Sequence, residues 1–69
     1  MSITVRGTFG DIAPGDFEVD DNGTRYWEAL EVDNDGTHVH VVARFFPSRS
    51  IDAFHAPVGT RLLIERGAA

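Results

Sequence analysis

The sequence contains no cysteine, no lysine and no long hydrophobic run. Without cysteine, neither a disulfide nor a four-cysteine zinc site can form, and the absence is compatible with a reducing cytoplasm. Apolar runs such as Val41–Ala43 are short, whereas a membrane-spanning helix needs about 20 apolar residues. The first residues also lack the basic stretch and apolar run of a secretory signal. We therefore expect a soluble, cytoplasmic protein with no membrane partner.

The charge of the chain is acidic overall. Eleven acidic residues face six basic ones, which gives a net charge of −5, and every basic residue is arginine. Codon bias in a GC-rich genome explains this use of arginine. The functional alternative is that arginine was selected for its planar head, which grips phosphate and stacks on bases. Because a net acidic protein is repelled by a polyanion at long range, the net charge argues against binding to DNA or RNA.

The length of 69 residues predicts one small domain over residues 1–69. A chain of this size buries only about 60% of its unfolded surface, so its core is thin. It also lacks the walls that enclose a substrate pocket of ordinary size. Neither a nucleophile elbow nor a glycine-rich phosphate loop accompanies its serines and histidines. We therefore expect no catalytic activity and no cofactor.

Turn signals divide the chain into short strands. Asn22-Gly23 and Asp35-Gly36 are typical of hairpin turns, in which the central residues take positive φ. Between the turns, apolar and polar residues alternate, as they do in half-buried strands. The pattern predicts five strands: Ile3–Phe9, Phe17–Val19, Arg25–Val32, His38–Phe46 and Thr60–Arg66.

The residues after Pro47 predict a short helical segment. Ser48-Arg49-Ser50 can cap it, Ile51 and Phe54 recur at helical spacing, and Pro57 ends it. The order is then four strands, one short helix and a final strand. Short strands at this spacing favour a closed or nearly closed barrel, because closure removes exposed sheet edges. We expect an all-β fold: a small five-stranded barrel that is OB-like or, alternatively, SH3-like.

The order of these landmarks resembles the bacterial single-stranded DNA-binding protein family, an OB fold. Ile3–Phe9 is similar to that family's opening strand, which reads roughly v-t-v-x-G-x-l, and Trp27–Val32 is similar to f-x-l-A-v. His38–Phe46 fits w-x-x-v-v-x-f, and Val58–Gly67 fits k-G-d-x-v-x-v-x-G. The likeness covers nearly all of the chain. Two features depart from it: the helical segment Ser50–Pro57 is shorter, and the further long strand that closes the family's barrel is missing.

The resemblance implies binding of single-stranded DNA or RNA on one face of the barrel. Bases would stack on aromatic rings there while arginines follow the phosphates. On the third strand, Trp27 is in phase with Arg25, and Tyr26 is in phase with Leu30 and Val32. This alternation predicts that Trp27 is the solvent-facing ring. The predicted nucleic-acid-binding residues are Arg6, Arg25, Trp27, His40, Arg44 and Phe46.

The competing interpretation of the large aromatics is structural. Trp27 and Phe46 are core residues if the strands carry bulges at these positions, since large aromatics are usually buried in small domains. The remaining phenylalanines are predicted to lie in the core: Phe9, Phe17, Phe45 and Phe54.

We do not expect the histidines or the acidic turns to form a metal site. His38 and His40 share a strand face, as two zinc ligands would, but no spacing rule brings His55 near them. The acidic turns at 20–22 and 33–35 supply oxygen ligands without the spacing of a twelve-residue calcium loop. Exposed histidines on a solvated face and ordinary hairpin chemistry explain these residues without a metal.

A second function belongs to another class. The acidic balance, the small size and the missing closing strand favour a protein-interaction or assembly module, such as a small subunit of a phage, plasmid or secretion apparatus. An open sheet edge invites a partner chain or another copy of this chain to add a strand. Homo-oligomerisation or a protein partner is therefore the alternative to nucleic-acid binding.

Overall fold

The computed structural model describes residues 2–67, and six strands account for most of them. Every neighbouring pair is antiparallel, in a single sheet of order β1-β6-β2-β3-β4-β5. Within residues 2–67, no helix is long and apolar enough to cross a membrane. The strands are β1 (Ser2–Thr8), β2 (Phe17–Val19), β3 (Arg25–Asn34), β4 (His38–Phe45), β5 (Ile51–Pro57) and β6 (Arg61–Gly67), and one 3₁₀ turn covers Phe9–Asp11.

The alternation of apolar and polar residues predicts the class of fold correctly. Each of the five predicted strands is present, and its bounds differ from the prediction by two residues at most. The sheet nevertheless has six strands rather than five. It is also not closed into a barrel, because within residues 2–67 β1 and β5 each pair on one side only. The predicted closed five-stranded barrel is therefore not what the chain forms.

The sixth strand replaces the predicted helix. After β4 the chain reverses in a tight turn, in which the Arg49 N–H donates to the Phe45 carbonyl at 2.7 Å and the Phe45 N–H donates to the Ser50 carbonyl at 2.8 Å. Ile51–Pro57 then runs back along β4, with Phe54 opposite Val41. The helical prediction is wrong because β4 offers a whole row of backbone partners to this segment. A short helix would leave that row unpaired.

The hydrophobic core lies on one face of the sheet, called here the inner face. It is closed at one end by the 3₁₀ turn, whose Phe9 is buried as predicted. Phe54 meets the rings of Phe9 at 6.0 Å, Trp27 at 5.1 Å and Phe45 at 5.8 Å between centroids. Such tilted and edge-on contacts are the favoured geometry of aromatic pairs. The buried core residues are Phe9, Ile12, Trp27, Ala29, Val39, Val41, Ala43, Leu62 and Ile64.

Trp27 lies in this core, so its predicted exposure is wrong. Its side chain is 5% exposed, and its Nε1–H donates to Glu18 Oε1 at 2.8 Å. The cause is a bulge in β3: the pairing with β4 shifts between Ala29 and Glu31, and Leu30 is the extra residue. Because a bulge inverts the alternation, Trp27 and Val32 both face inward, although the four residues between them would put them on opposite faces of a regular strand. The competing structural interpretation of this ring is confirmed.

Phe17 is the one predicted core phenylalanine that lies outside the core. It is half-buried on the opposite face, in register with Glu28 and Glu65, and its ring stacks on Phe46 at 6.2 Å. Phe45 and Phe54 are partly buried and pack against the core as expected.

Candidate functional site

The face of the sheet opposite the core, called here the outer face, carries most of the predicted binding residues. Residues directly opposite in an antiparallel pair share a face, so one row can be followed across the sheet. Arg44 lies opposite Glu28, which lies opposite Phe17, then Glu65, then Thr4. Alternation from this row places Arg6, His40, Arg44 and Phe46 on the outer face. Arg25 joins them because the register of β2 with β3 shifts at Tyr26, so that Arg25 lies opposite Val19 and on the side of Phe17. Trp27 does not join them.

Carboxylates neutralise the cations in the middle of this face. Arg25 Nε lies 2.6 Å from Glu65 Oε1, and its guanidinium sits 4.0 Å from the centroid of the Phe17 ring. Arg44 lies 3.6 Å from Glu28. A phosphate backbone would have to displace these carboxylates before it could contact either arginine. Three of the six predicted binding groups are therefore buried or already engaged: the Trp27 indole is in the core, and Arg25 and Arg44 are paired with carboxylates.

The histidines form a cluster that spacing alone did not predict. The pairing of β4 with β5 puts His55 opposite His40, and its ring centroid lies 5.5 Å from that of His40 and 5.6 Å from that of His38. His40 Nε2 contacts Asp35 Oδ2 at 3.3 Å. Hydrogen bonds from the His38 and Thr37 N–H groups, with the Thr37 hydroxyl, lower the pKa of Asp35. Among the described residues, no group of histidine and acidic side chains is arranged to hold a metal ion.

The β1 edge of the sheet is open and apolar. The Phe9 N–H bonds the Thr60 carbonyl at 2.9 Å, and from there the antiparallel alternation turns the N–H and C=O groups of Thr4 and Arg6 away from β6. Ile3 and Val5 lie on the core side of the strand, yet they are 53% and 39% exposed. This edge therefore combines free backbone groups with uncovered apolar side chains.

The β5 edge is obstructed by comparison. Its outward backbone groups belong to Ile51, Ala53, His55 and Pro57, by the same alternation. The Ala53 N–H is already bonded to Asp52 Oδ1 at 2.8 Å, and proline has no N–H to offer. Ile51 is exposed at one end of the strand, without a second exposed apolar residue of comparable size beside it. Charged side chains and prolines are the usual means by which proteins protect an edge strand.

An ion pair between the buried Asp16 and the half-exposed Arg66 links the loop after β1 to β6. Asp16 is 3% exposed, and its carboxylate accepts hydrogen bonds from Arg66 Nε at 3.0 Å and Nη2 at 2.7 Å. It also accepts the Ala13 N–H at 2.9 Å, while Arg66 Nη2 donates to the Asp11 carbonyl at 2.8 Å. Burial raises the pKa of Asp16, but the hydrogen bonds and the charge of Arg66 outweigh it and hold the pKa below its ordinary value. The pair fixes the backbone that supports β1.

Comparison with known proteins adds no identification. No family model, no curated protein and no solved structure matches this chain. The resemblance to single-stranded DNA-binding proteins stays a prediction from the sequence.

The sequence predicts an open edge but does not locate it. Its pattern predicts that Ile3–Phe9 is a half-buried strand and does not indicate that Ile3 and Val5 remain uncovered. The alternation of β1 does not distinguish an edge strand from a central one, and Gly7, on the same side of the strand, marks a close approach to the core instead. A Cβ there would lie 3.0 Å from Asp11 Oδ2 and 3.1 Å from Ile64 Cδ1, so a side chain at this position would require one of these two side chains to shift by a few tenths of an ångström.

Proposed function

We propose that this protein is a protein-interaction module that accepts an extended segment of a partner chain as an additional strand beside β1. The observation that carries the proposal is the state of that edge: free N–H and C=O groups at Thr4 and Arg6, with Ile3 and Val5 exposed. In strand addition, main-chain hydrogen bonds supply affinity and alternate side chains supply specificity. Pairing at β1 would satisfy the backbone groups and cover both apolar side chains together.

The strand order supports the SH3-like alternative for the fold. β2, β3, β4 and β5 form a meander, and β6, the last strand, lies beside β2, the first strand of that meander. This is the arrangement of SH3-like sheets, in which the final strand returns to the first. In this interpretation β1 is an addition to the edge of β6, so a partner strand would extend the sheet beyond β1.

The same contacts disfavour single-stranded nucleic acid as the ligand. Of the two rings predicted to stack on bases, Trp27 is buried and Phe46 already stacks on Phe17. Arg25 and Arg44 are paired with carboxylates, and the chain carries a net charge of −5. A protein partner at a sheet edge requires none of these groups.

The test is a proton–nitrogen NMR titration of the protein with a short peptide that alternates serine and valine. We expect the amide shifts to concentrate on β1 and β6, because a strand added at β1 changes the hydrogen bonding of Thr4 and Arg6 directly. Val5→Lys should abolish the shifts, since charged side chains block edge pairing. Ile51→Lys, at the exposed isoleucine of the opposite edge, is the matched control and should leave them unchanged.

Two outcomes would overturn the proposal. One is the absence of shifts on β1 up to a peptide concentration of about 1 mM, the weak end of measurable recognition. The other is a set of peptide-induced amide shifts confined to β5. A parallel titration with oligo-dT should leave the Arg25 and Arg44 side-chain signals unmoved, and tight binding there would restore the nucleic-acid interpretation.

A further inference from the structure

The outer face beside the β1 edge carries two arginines that have no ion-pair partner among the described residues. Three of the six arginines are paired with carboxylates: Arg25, Arg44 and Arg66. Within residues 2–67, the side chains of Arg6 and Arg61 make no hydrogen bond or ion pair. The register places Arg61 opposite Thr8 and Arg6 opposite Leu63, so both arginines lie on the outer face of the β1–β6 pair.

These two arginines flank a groove at the open edge. The groove has a volume of about 490 Å³ and is lined by residues of β1, the 3₁₀ turn and β6. Asp11 is the acidic group that lines it, and its carboxylate already accepts the Thr8 N–H at 2.9 Å and the Thr8 hydroxyl at 3.2 Å. Glu65, the nearest acid along the outer face of β6, is bound by Arg25. The net local charge at the edge is therefore positive in a protein that is acidic overall.

We propose that the strand accepted at β1 alternates apolar residues with acidic ones. This inference rests on the proposed function and names the chemistry of the partner. An added strand places alternate side chains on opposite faces of the sheet. Those on the core side meet Ile3 and Val5, and those on the outer side meet Arg6 with Arg61 behind it. Opposite charges in directly opposed cross-strand positions stabilise a pair, and like charges destabilise it.

The same charges argue against a second copy of this chain as the occupant. If two copies paired through antiparallel β1 strands about Val5, Thr4 of each would lie opposite Arg6 of the other. Arg6 and Arg61 of both copies would then share one outer face, with no free carboxylate of the edge between them. The net charge of −5 also repels a strongly acidic body at long range. The acidic residues of the partner must therefore lie within the segment that pairs with β1, while the rest of the partner is not strongly acidic.

The experiment compares three peptides with the same valines. One carries serine at the alternate positions, one glutamate and one lysine, and binding is followed by the NMR shifts of β1 and β6. We expect the glutamate peptide to bind roughly tenfold more tightly than the lysine peptide, because the residue opposite Arg6 is attracted in one peptide and repelled in the other, and Arg61 adds to both effects from one strand further away. The preference should fall as salt is raised, because exposed charges are screened.

Variants separate the charge effect from strand pairing itself. Arg6→Gln combined with Arg61→Gln should reduce the preference for glutamate over lysine to about onefold, while the serine peptide binds as before. Arg49→Gln, at an exposed arginine in the turn between β4 and β5, is the matched control and should keep the preference. If the serine peptide binds at β1 but glutamate and lysine peptides bind equally, the acidic partner is refuted and strand addition stands. If none of the three binds at β1, the proposed function fails.

Discussion

Replacing Asp16 by asparagine tests whether the ion pair with Arg66 holds the loop after β1 in place. The carboxylate accepts three hydrogen bonds, two of them from the guanidinium. Asparagine keeps the shape but has only one oxygen, so its NH₂ group would face a donor. Hydrogen bonds to charged groups contribute about 1.5–3 kcal/mol each. Arg66 is 48% exposed, so solvent compensates for part of the loss, and we expect a destabilisation of about 2 kcal/mol.

In a domain of this size, that loss lowers Tm by about 8–16 °C. The folded pKa of Asp16 lies below its unfolded value, so its contribution is fully present above the ordinary carboxylate pKa. It is lost as the pH falls through the lower folded pKa. The gap in Tm between wild type and Asp16→Asn should therefore be full at pH 7 and close in strong acid.

The assay is thermal unfolding followed by the fluorescence of the single tryptophan, with Asp21→Asn as the control. Asp21 is an exposed acid of the first hairpin turn, and its replacement should change stability by less than about 0.5 kcal/mol. A Tm for Asp16→Asn that matches the control would refute the argument. A gap that persists unchanged at low pH would show that charge is not its source.

Three further outcomes follow from the packing. Acrylamide should quench the fluorescence of Trp27 weakly, because its ring is buried; quenching as strong as that of free indole would contradict the assignment of this ring to the core. Gly10→Ala should destabilise the fold by about 1–3 kcal/mol in urea unfolding, because its Cβ would lie 2.8 Å from Val58 Cγ2; unchanged stability would mean that this contact yields freely. Asp52→Ala should promote concentration-dependent association in light scattering, since it frees the Ala53 N–H at the β5 edge, and a strict monomer would show that the edge needs no such protection.

The segment after Pro47 shows how one pattern can fit two structures. Ile51 and Phe54 are three residues apart, which suits one turn of helix, but in β5 they lie on opposite faces, with Phe54 against the core and Ile51 exposed. The sequence offers no means of choosing, because the choice depends on whether β4 has a free side. The hydrogen bonds of the turn at 45–50 return the chain along that side, and the segment becomes β5.

The position of Trp27 shows a different limit. Strict alternation is a property of regular strands, and the bulge at Leu30 breaks it. The two ends of β3 therefore follow opposite phases, and a residue at one end cannot be assigned from residues at the other. A bulge has no reliable mark in a single sequence, so the pattern alone does not determine which face Trp27 occupies. Phe17 was misassigned for a related reason: a three-residue strand is too short to define a face.

The sequence by itself determined the class of the fold, five of the strands and the hairpin turns between them. These features are local: glycines at positive φ and the Asp and Asn side chains that accept backbone N–H groups set the turns, and alternating hydrophobicity sets the strands. The tertiary structure decided which strands became neighbours, which residues stood at the edges and which cations were neutralised. Those properties depend on contacts between residues far apart in the chain, such as Arg25 with Glu65 and Asp16 with Arg66. The candidate edge at β1 exists only because β6, the last strand, covers one side of it and no described strand covers the other.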